Sequence, residues 1–167
     1  MAQKRMVIVD GTRTAIGKFG GALKNVPAQY LQAYCFRHVV KNSGIDPAQI
    51  DEVVSGNICQ PVANIARVSA LYAKIPHSVP ARTVARNCAS GIEAITSACQ
   101  AALAGDGEIF LVGGTENMSQ VPYVIKDARF GLKMQNHIIT DALWEGLFDP
   151  NIRQMMGRTA ENVVQKW

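Results

Sequence analysis

Apolar residues in this chain fall in short blocks separated by turn-forming residues, and the period changes from block to block. Met6-Val7-Ile8-Val9 is a continuous apolar run of strand length. Gly17, Gly20 and Gly21 mark a turn region over 10–23. Leu31, Tyr34, Cys35, His38 and Val39 recur near helical spacing and predict a helix over 29–42. Gly44 stands where that helix should stop. Val53 and Val54, ahead of Gly56, predict a second strand. Residues 64–74 predict a helix capped by Asn64 and ended before Pro76. A third strand is expected at 81–85, and an alanine-rich helix over 93–104. A fourth, apolar strand is expected within 108–114. Strands alternating with helices imply an α/β fold with a mostly parallel sheet covered by helices.

After Val112 the pattern lapses. Residues 119–150 carry scattered apolar positions, Pro122 and Pro150, and no sustained period. They read as an irregular excursion or a second subdomain. A last helix is expected from Arg158 or Thr159, with Thr159 as its cap and Ala160, Val163 and Val164 inside. No stop signal precedes Trp167, so that helix reads as cut and the chain as the N-terminal piece of something longer.

Composition narrows the function classes. The chain has 167 residues, 48% of them hydrophobic and 18% charged, which suits an ordinary globular protein with a sizeable core. The net charge is +4, and the basic residues are scattered, which argues against nucleic-acid binding. No apolar run approaches the roughly 20 residues that span a bilayer. The start of the chain lacks a signal-peptide pattern, so a cytoplasmic location is expected. The cysteines are Cys35, Cys59, Cys88 and Cys99. They show no C-x-x-C pairing, which argues against a metal site, and in a cytosol they would stay reduced.

Cys88 carries the candidate chemistry. It lies between the strand expected at 81–85 and the alanine-rich helix, in Asn87-Cys88-Ala89-Ser90-Gly91. A thiol at the first turn of a helix faces unpaired backbone N–H groups, and these together with the helix dipole favour the thiolate. The same donors could hold an oxyanion, the arrangement of a nucleophile elbow with Cys in place of Ser. The local alternative is a buried structural thiol, and Arg86 and Glu93 do not decide between the two.

Several stretches in order resemble the N-terminal part of the thiolase family, the acetyl-CoA acetyltransferases and 3-ketoacyl-CoA thiolases. They are Arg13-Thr14-Ala15-Ile16-Gly17-Lys18-Phe19-Gly20-Gly21, Asn64-Ile65-Ala66-Arg67, Asn87-Cys88-Ala89-Ser90-Gly91, Gly113-Gly114-Thr115-Glu116-Asn117-Met118-Ser119 and Met156-Gly157-Arg158-Thr159-Ala160-Glu161-Asn162. The chain departs from the family pattern at Ala85, at Gln60-Pro61-Val62 and at Met155. The resemblance implies a thiolase-like N-terminal half over 1–117 and the beginning of a loop domain over 118–167. It implies that Cys88 is the acyl-thioester nucleophile, with its backbone N–H in an oxyanion hole, and that Met156 lines the acyl pocket. It also implies an acyltransferase that forms or cleaves 3-ketoacyl-CoA, with acyl-CoA and CoA as substrates, no separate cofactor and no metal. The intact protein would be a homo-oligomer, a dimer or tetramer. The family's base histidine and second cysteine are matched by no residue here, so the piece alone is expected to be inactive and marginally folded. A ketosynthase-like acyltransferase and a non-catalytic thiolase-like binding module remain as alternatives.

The other candidates read as structural. Gly17, Gly20 and Gly21 lack the Lys-Ser/Thr of a phosphate loop and suit a turn. His38 reads as a core or boundary residue, while His77 and His137 fall in loops. Asn117 could hold a turn near the site. Cys35, Cys59 and Cys99 read as buried thiols.

Overall fold

The computed structural model describes residues 5–167. Its contacts divide into one unit ending at Gln120 and a second, Val121–Trp167. Among the described residues, no helix is long and apolar enough to cross a membrane.

The first unit is built on a parallel three-stranded sheet. Its strands are β1 (Glu52–Gly56), β2 (Ala81–Val84) and β3 (Phe110–Gly114), in the order β2-β1-β3. Successive strand residues face opposite ways, so Val53 and Val54, both wholly buried, found two separate cores. On one face Val53 and Leu111 pack with Phe36 of α1 (Ala28–Ser43) and Ala70 of α2 (Ile65–Tyr72). On the other, Val54 packs with Ala94 and Ala98 of α3 (Ser90–Ala104), beside Val84, Phe110 and Val112. The result is three layers, helices over both faces of a parallel sheet, as the alternation predicts.

Local sequence explains the helix ends. Asn64 caps α2, its side-chain oxygen accepting from the Arg67 N–H at 3.1 Å. Gly44 ends α1 in the left-handed region at φ 69°, and Gly105 ends α3 at φ 94°. Gly20 turns at φ 68°, as a turn reading of the glycine-rich loop requires.

Several expectations need correction. Met6–Val9 is not a strand: no strand pairs with it among the described residues, and Val7, Ile8 and Val9 are exposed. An apolar run supplies β-propensity, but a strand also needs a partner for its backbone groups. The buried face of α1 is set by Ala28, Gln32, Ala33 and Phe36, so Tyr34 and His38 face outward and His38 is not a core histidine. Gln32 can be buried there because its amide donates to the Ser55 hydroxyl on β1. Cys35, Cys59 and Cys99 are half-buried rather than buried.

The second unit is a set of short elements rather than an irregular excursion. β4 (Tyr123–Ile125) pairs antiparallel with β5 (Ile139–Asp141), and β6 (Phe148–Asp149) with β7 (Gln154–Met155). The short helix α4 (Ala142–Gly146) is capped by Asp141, whose carboxylate accepts from the Leu143 N–H at 2.9 Å. α5 (Met156–Lys166) begins two residues before Arg158. Thr159 is therefore inside it and is no cap, its hydroxyl donating back to the Met156 carbonyl at 2.7 Å.

Candidate active site

The three parallel strands end level with one another, Gly56 opposite both Val84 and Gly114. Three loops leave that edge of the sheet, and Cys88 lies in the one that joins β2 to α3. Helix α3 begins at Ser90, so the thiol occupies the tight turn before the helix rather than its first turn. The turn is closed by Ser90, which is itself buried. Its hydroxyl accepts from the Arg86 N–H at 2.8 Å and donates to the Asn87 carbonyl at 2.6 Å. The Ala89 N–H reaches the Arg86 carbonyl and the Ser90 N–H reaches the Asn87 carbonyl, each at 3.0 Å. Asn87 adopts φ 46°, the left-handed conformation that a short polar side chain tolerates best after glycine. With the backbone so folded, Cys88 is exposed to solvent, which removes the buried-thiol alternative.

The approach of α3 to the sheet depends on missing side chains. A Cβ on Gly56 would stand 2.4 Å from both the carbonyl carbon and oxygen of Ser90. A Cβ on Gly114 would stand 3.3 Å from the Gly56 carbonyl oxygen and 3.4 Å from the Gly91 Cα. The start of α3 therefore rests directly on backbone. In that first turn, none of the described hydrogen bonds is donated by the N–H groups of Gly91 or Ile92. Such free donors at a helix start attract negative charge. Glu93 lies one residue further on, bound to Arg86 at 2.7 Å and accepting from the hydroxyls of Thr96 and Ser97.

Glu116 organises the loop beside Cys88, a role the sequence reading missed. Its carboxylate accepts from the backbone N–H of Ile58 at 3.0 Å and of Cys59 at 3.2 Å. It also accepts from the side-chain amides of Asn57 at 3.0 Å and Gln60 at 2.9 Å. One acidic side chain just past β3 thus pins the whole exit loop of β1. The available signal was an acid two residues after a Gly-Gly strand end, where a carboxylate needs donors. Asn117 does hold a turn: its amide donates to the Val26 carbonyl at 2.8 Å and the Leu23 carbonyl at 3.2 Å.

The pinned loop carries Cys59. Burial first, and then the negative charges of Glu116 and of a Cys88 thiolate, raise the Cys59 thiol above the ordinary thiol range. Cys35, also raised by burial, has the Thr14 backbone as a hydrogen-bond partner acting the other way.

The remaining candidates are held by residues of their own units. The His38 ring bonds Asn42, the His77 carbonyl accepts from Arg67, and the His137 ring bonds the Lys133 carbonyl. Met156 opens α5 in the second unit, its N–H donating to the Leu147 carbonyl at 2.9 Å. Among the described residues, no three His, Cys, Asp or Glu side chains group as metal ligands would.

The family model for the thiolase N-terminal domain matches residues 6–167. A probable acetyl-CoA acyltransferase of Staphylococcus aureus is 42% identical over 166 residues, covering 98% of this chain and 42% of that protein. Its counterpart in Staphylococcus epidermidis is 43% identical with the same coverage. The crystal structure of the Bacillus anthracis acetyl-CoA acetyltransferase superposes with a TM-score of 0.91 at 42% identity, over 96% of this chain and 41% of that one. The human mitochondrial 3-ketoacyl-CoA thiolase in complex with CoA superposes with a TM-score of 0.89 at 35% identity, over 95% and 41%. The chain therefore spans about two fifths of the length of the relatives it matches.

Proposed function

The chain belongs to the thiolase family, of which it carries the N-terminal domain, and we propose that the protein acts as an acyl-CoA C-acyltransferase with Cys88 as the acyl-carrying nucleophile. The observation that carries this reading is the placement of an exposed thiol in a hydroxyl-locked turn at the start of α3, with free backbone donors beside it.

The thiolate of Cys88 attacks the carbonyl carbon of an acyl-CoA thioester. A new carbon–sulfur bond forms, and the tetrahedral oxyanion collapses with release of the CoA thiolate. The Cys88 N–H helps to hold that oxyanion. Because one thioester replaces another, the acyl group keeps its activation, and a hard condensation is split into two easier steps. A second CoA thioester, deprotonated at its α-carbon, then takes the acyl group and frees the thiolate. Read backwards, CoA cleaves a 3-ketoacyl-CoA. Met156 would line the acyl pocket. The family's base histidine and second cysteine, which serve that deprotonation, are matched by no residue of this sequence, so the 167-residue chain should accept an acyl group without turning over. Ile92, Ile95 and Leu103 form an exposed apolar stripe on α3, which suits burial against the remainder of a family fold built from two similar halves.

The test is acylation by acetyl-CoA. One equivalent of CoA should be released per chain and the acetyl group should map to Cys88, with both lost in Cys88→Ser. Acetylation at another thiol in the folded chain, or none at Cys88, would overturn the reading.

A further inference from the structure

Cys88 is not the only thiol at the loop-bearing edge of the sheet. β1 and β2 are parallel neighbours with Gly56 opposite Val84, and the Asn57 N–H continues the ladder to the Val84 carbonyl at 3.2 Å. Paired strands lie about 4.8 Å apart. Cys59 follows Gly56 by three residues, and Cys88 follows Val84 by four. The two thiols therefore leave adjacent strands on the same side, at nearly the same distance from the last paired residues. Gly56, at the root of one loop, also touches Ser90, which closes the turn of the other. From this juxtaposition we propose that Cys59 is a resolving thiol that captures oxidised Cys88 in an intramolecular disulfide, making the pair a reversible site of peroxide modification.

The chemistry balances with a hydroperoxide as oxidant. The Cys88 thiolate attacks the peroxide; a sulfur–oxygen bond forms, the oxygen–oxygen bond breaks, and hydroxide leaves to be protonated to water. Cys88 is now a sulfenic acid. The Cys59 sulfur then attacks the Cys88 sulfur. The sulfur–sulfur bond forms, the sulfur–oxygen bond breaks, and the hydroxyl leaves with the Cys59 proton as a second water. Two thiols and one peroxide have become one disulfide and two waters. Disulfide geometry requires Cα atoms about 4.4–6.8 Å apart, and the two loops start from paired strands about 4.8 Å apart. The roles are unequal. Cys88 is exposed and meets the oxidant, while Cys59 is half-buried and its N–H is held by Glu116. The charge of a Cys88 thiolate contributes, after burial and Glu116, to raising the Cys59 thiol, in keeping with this juxtaposition. Cys35 and Cys99 do not enter: Cys35 is held on α1 and Cys99 lies nine residues into α3.

The reduced 167-residue chain is treated with about ten molar equivalents of hydrogen peroxide, enough for the two oxidation steps to sulfinic acid, then alkylated and digested with trypsin and a glutamate-specific protease. Cuts after Glu52, Arg67, Arg86 and Glu93 separate Cys88 from Cys99. The expected product joins residues 53–67 to residues 87–93, lighter than the two peptides by two hydrogens, and dithiothreitol parts it. In Cys59→Ser, Cys88 should pass on to sulfinic acid, and its recovery for alkylation by dithiothreitol should fall at least about tenfold. Oxidation of the parent chain in denaturing urea should lower the yield of the joined peptide, a control that does not depend on the variant folding. Sulfinic acid at Cys88 of the folded parent with Cys59 still alkylatable would overturn the proposal. So would pairing of Cys88 with Cys35, Cys99 or a second chain, or equal yield in the folded and unfolded chain.

Discussion

Replacing Gly56 by alanine tests how the Cys88 turn is held. The added methyl would stand 2.4 Å from the Ser90 carbonyl and 2.7 Å from the Gly91 N–H nitrogen, where ordinary contact begins at 3.4 Å. Both sides of the clash are backbone, so no rotamer can relieve it, and α3 must withdraw by about 1 Å. Withdrawal loosens Ala94 and Ala98 from Val54, which are packed in one cluster. Insertion of a methyl into a filled core costs about 1–3 kcal/mol, and the rigid surroundings put this case at the upper end. A loss of about 3 kcal/mol is on the order of a hundredfold in the folding equilibrium. Gly91→Ala is the control of opposite sign: its Cβ would meet nothing within 4 Å, and alanine favours a helix over glycine by roughly 0.5–1 kcal/mol. Urea unfolding followed by circular dichroism reads both variants. A Gly56→Ala unfolding free energy within about 0.5 kcal/mol of the parent would refute the close backbone contact as the element that sets α3.

Three further outcomes are expected. Glu116→Gln turns one acceptor oxygen into a donor facing N–H groups, and should cost about 2 kcal/mol in urea unfolding and expose the 57–60 amides to faster hydrogen exchange. Asn64→Ala removes the α2 cap and the acceptor for the Thr83 hydroxyl, a loss of about 1 kcal/mol by the same measurement. Cys35 and Cys59 have thiols raised above 9.0 in the folded chain, so folding binds their protons more tightly and the stability that this contributes is present below pH 9 and lost as the pH rises beyond it. Unfolding between pH 8 and pH 10 should show that loss in the parent and a smaller one in Cys35→Ser, with iodoacetamide labelling Cys88 before either half-buried thiol.

Much of the first unit was legible from the sequence, because its elements are long enough to display a period and are bounded by glycine, proline or asparagine. Asn64, Gly44 and Pro76 punctuate the chain where the helices end. What misled was burial decided by partners far away in sequence. The exposed Tyr34 and His38 fall at helical spacing as readily as the residues that line the core. Gln32 looks like a surface residue until Ser55 is found opposite it. Met6–Val9 has the composition of a strand, yet composition names no partner. In the second unit the strands are only two or three residues long, too short for alternation to register. At the site, Cys88 was visible because its neighbours form a motif. Glu116 was not, because its four donors lie some 57 residues upstream.

The glycines at the strand ends bear on how this scaffold can change. Where a nucleophile is propped by side chains, each substitution that alters what the site accepts also disturbs where the attacking atom stands. Here Ser90 and Gly91 sit on the bare backbone of Gly56 and Gly114, and the turn is locked by a single hydroxyl. Position and selectivity are thus written in different residues. The side chains around Cys88 can be exchanged one by one while the thiol keeps its address.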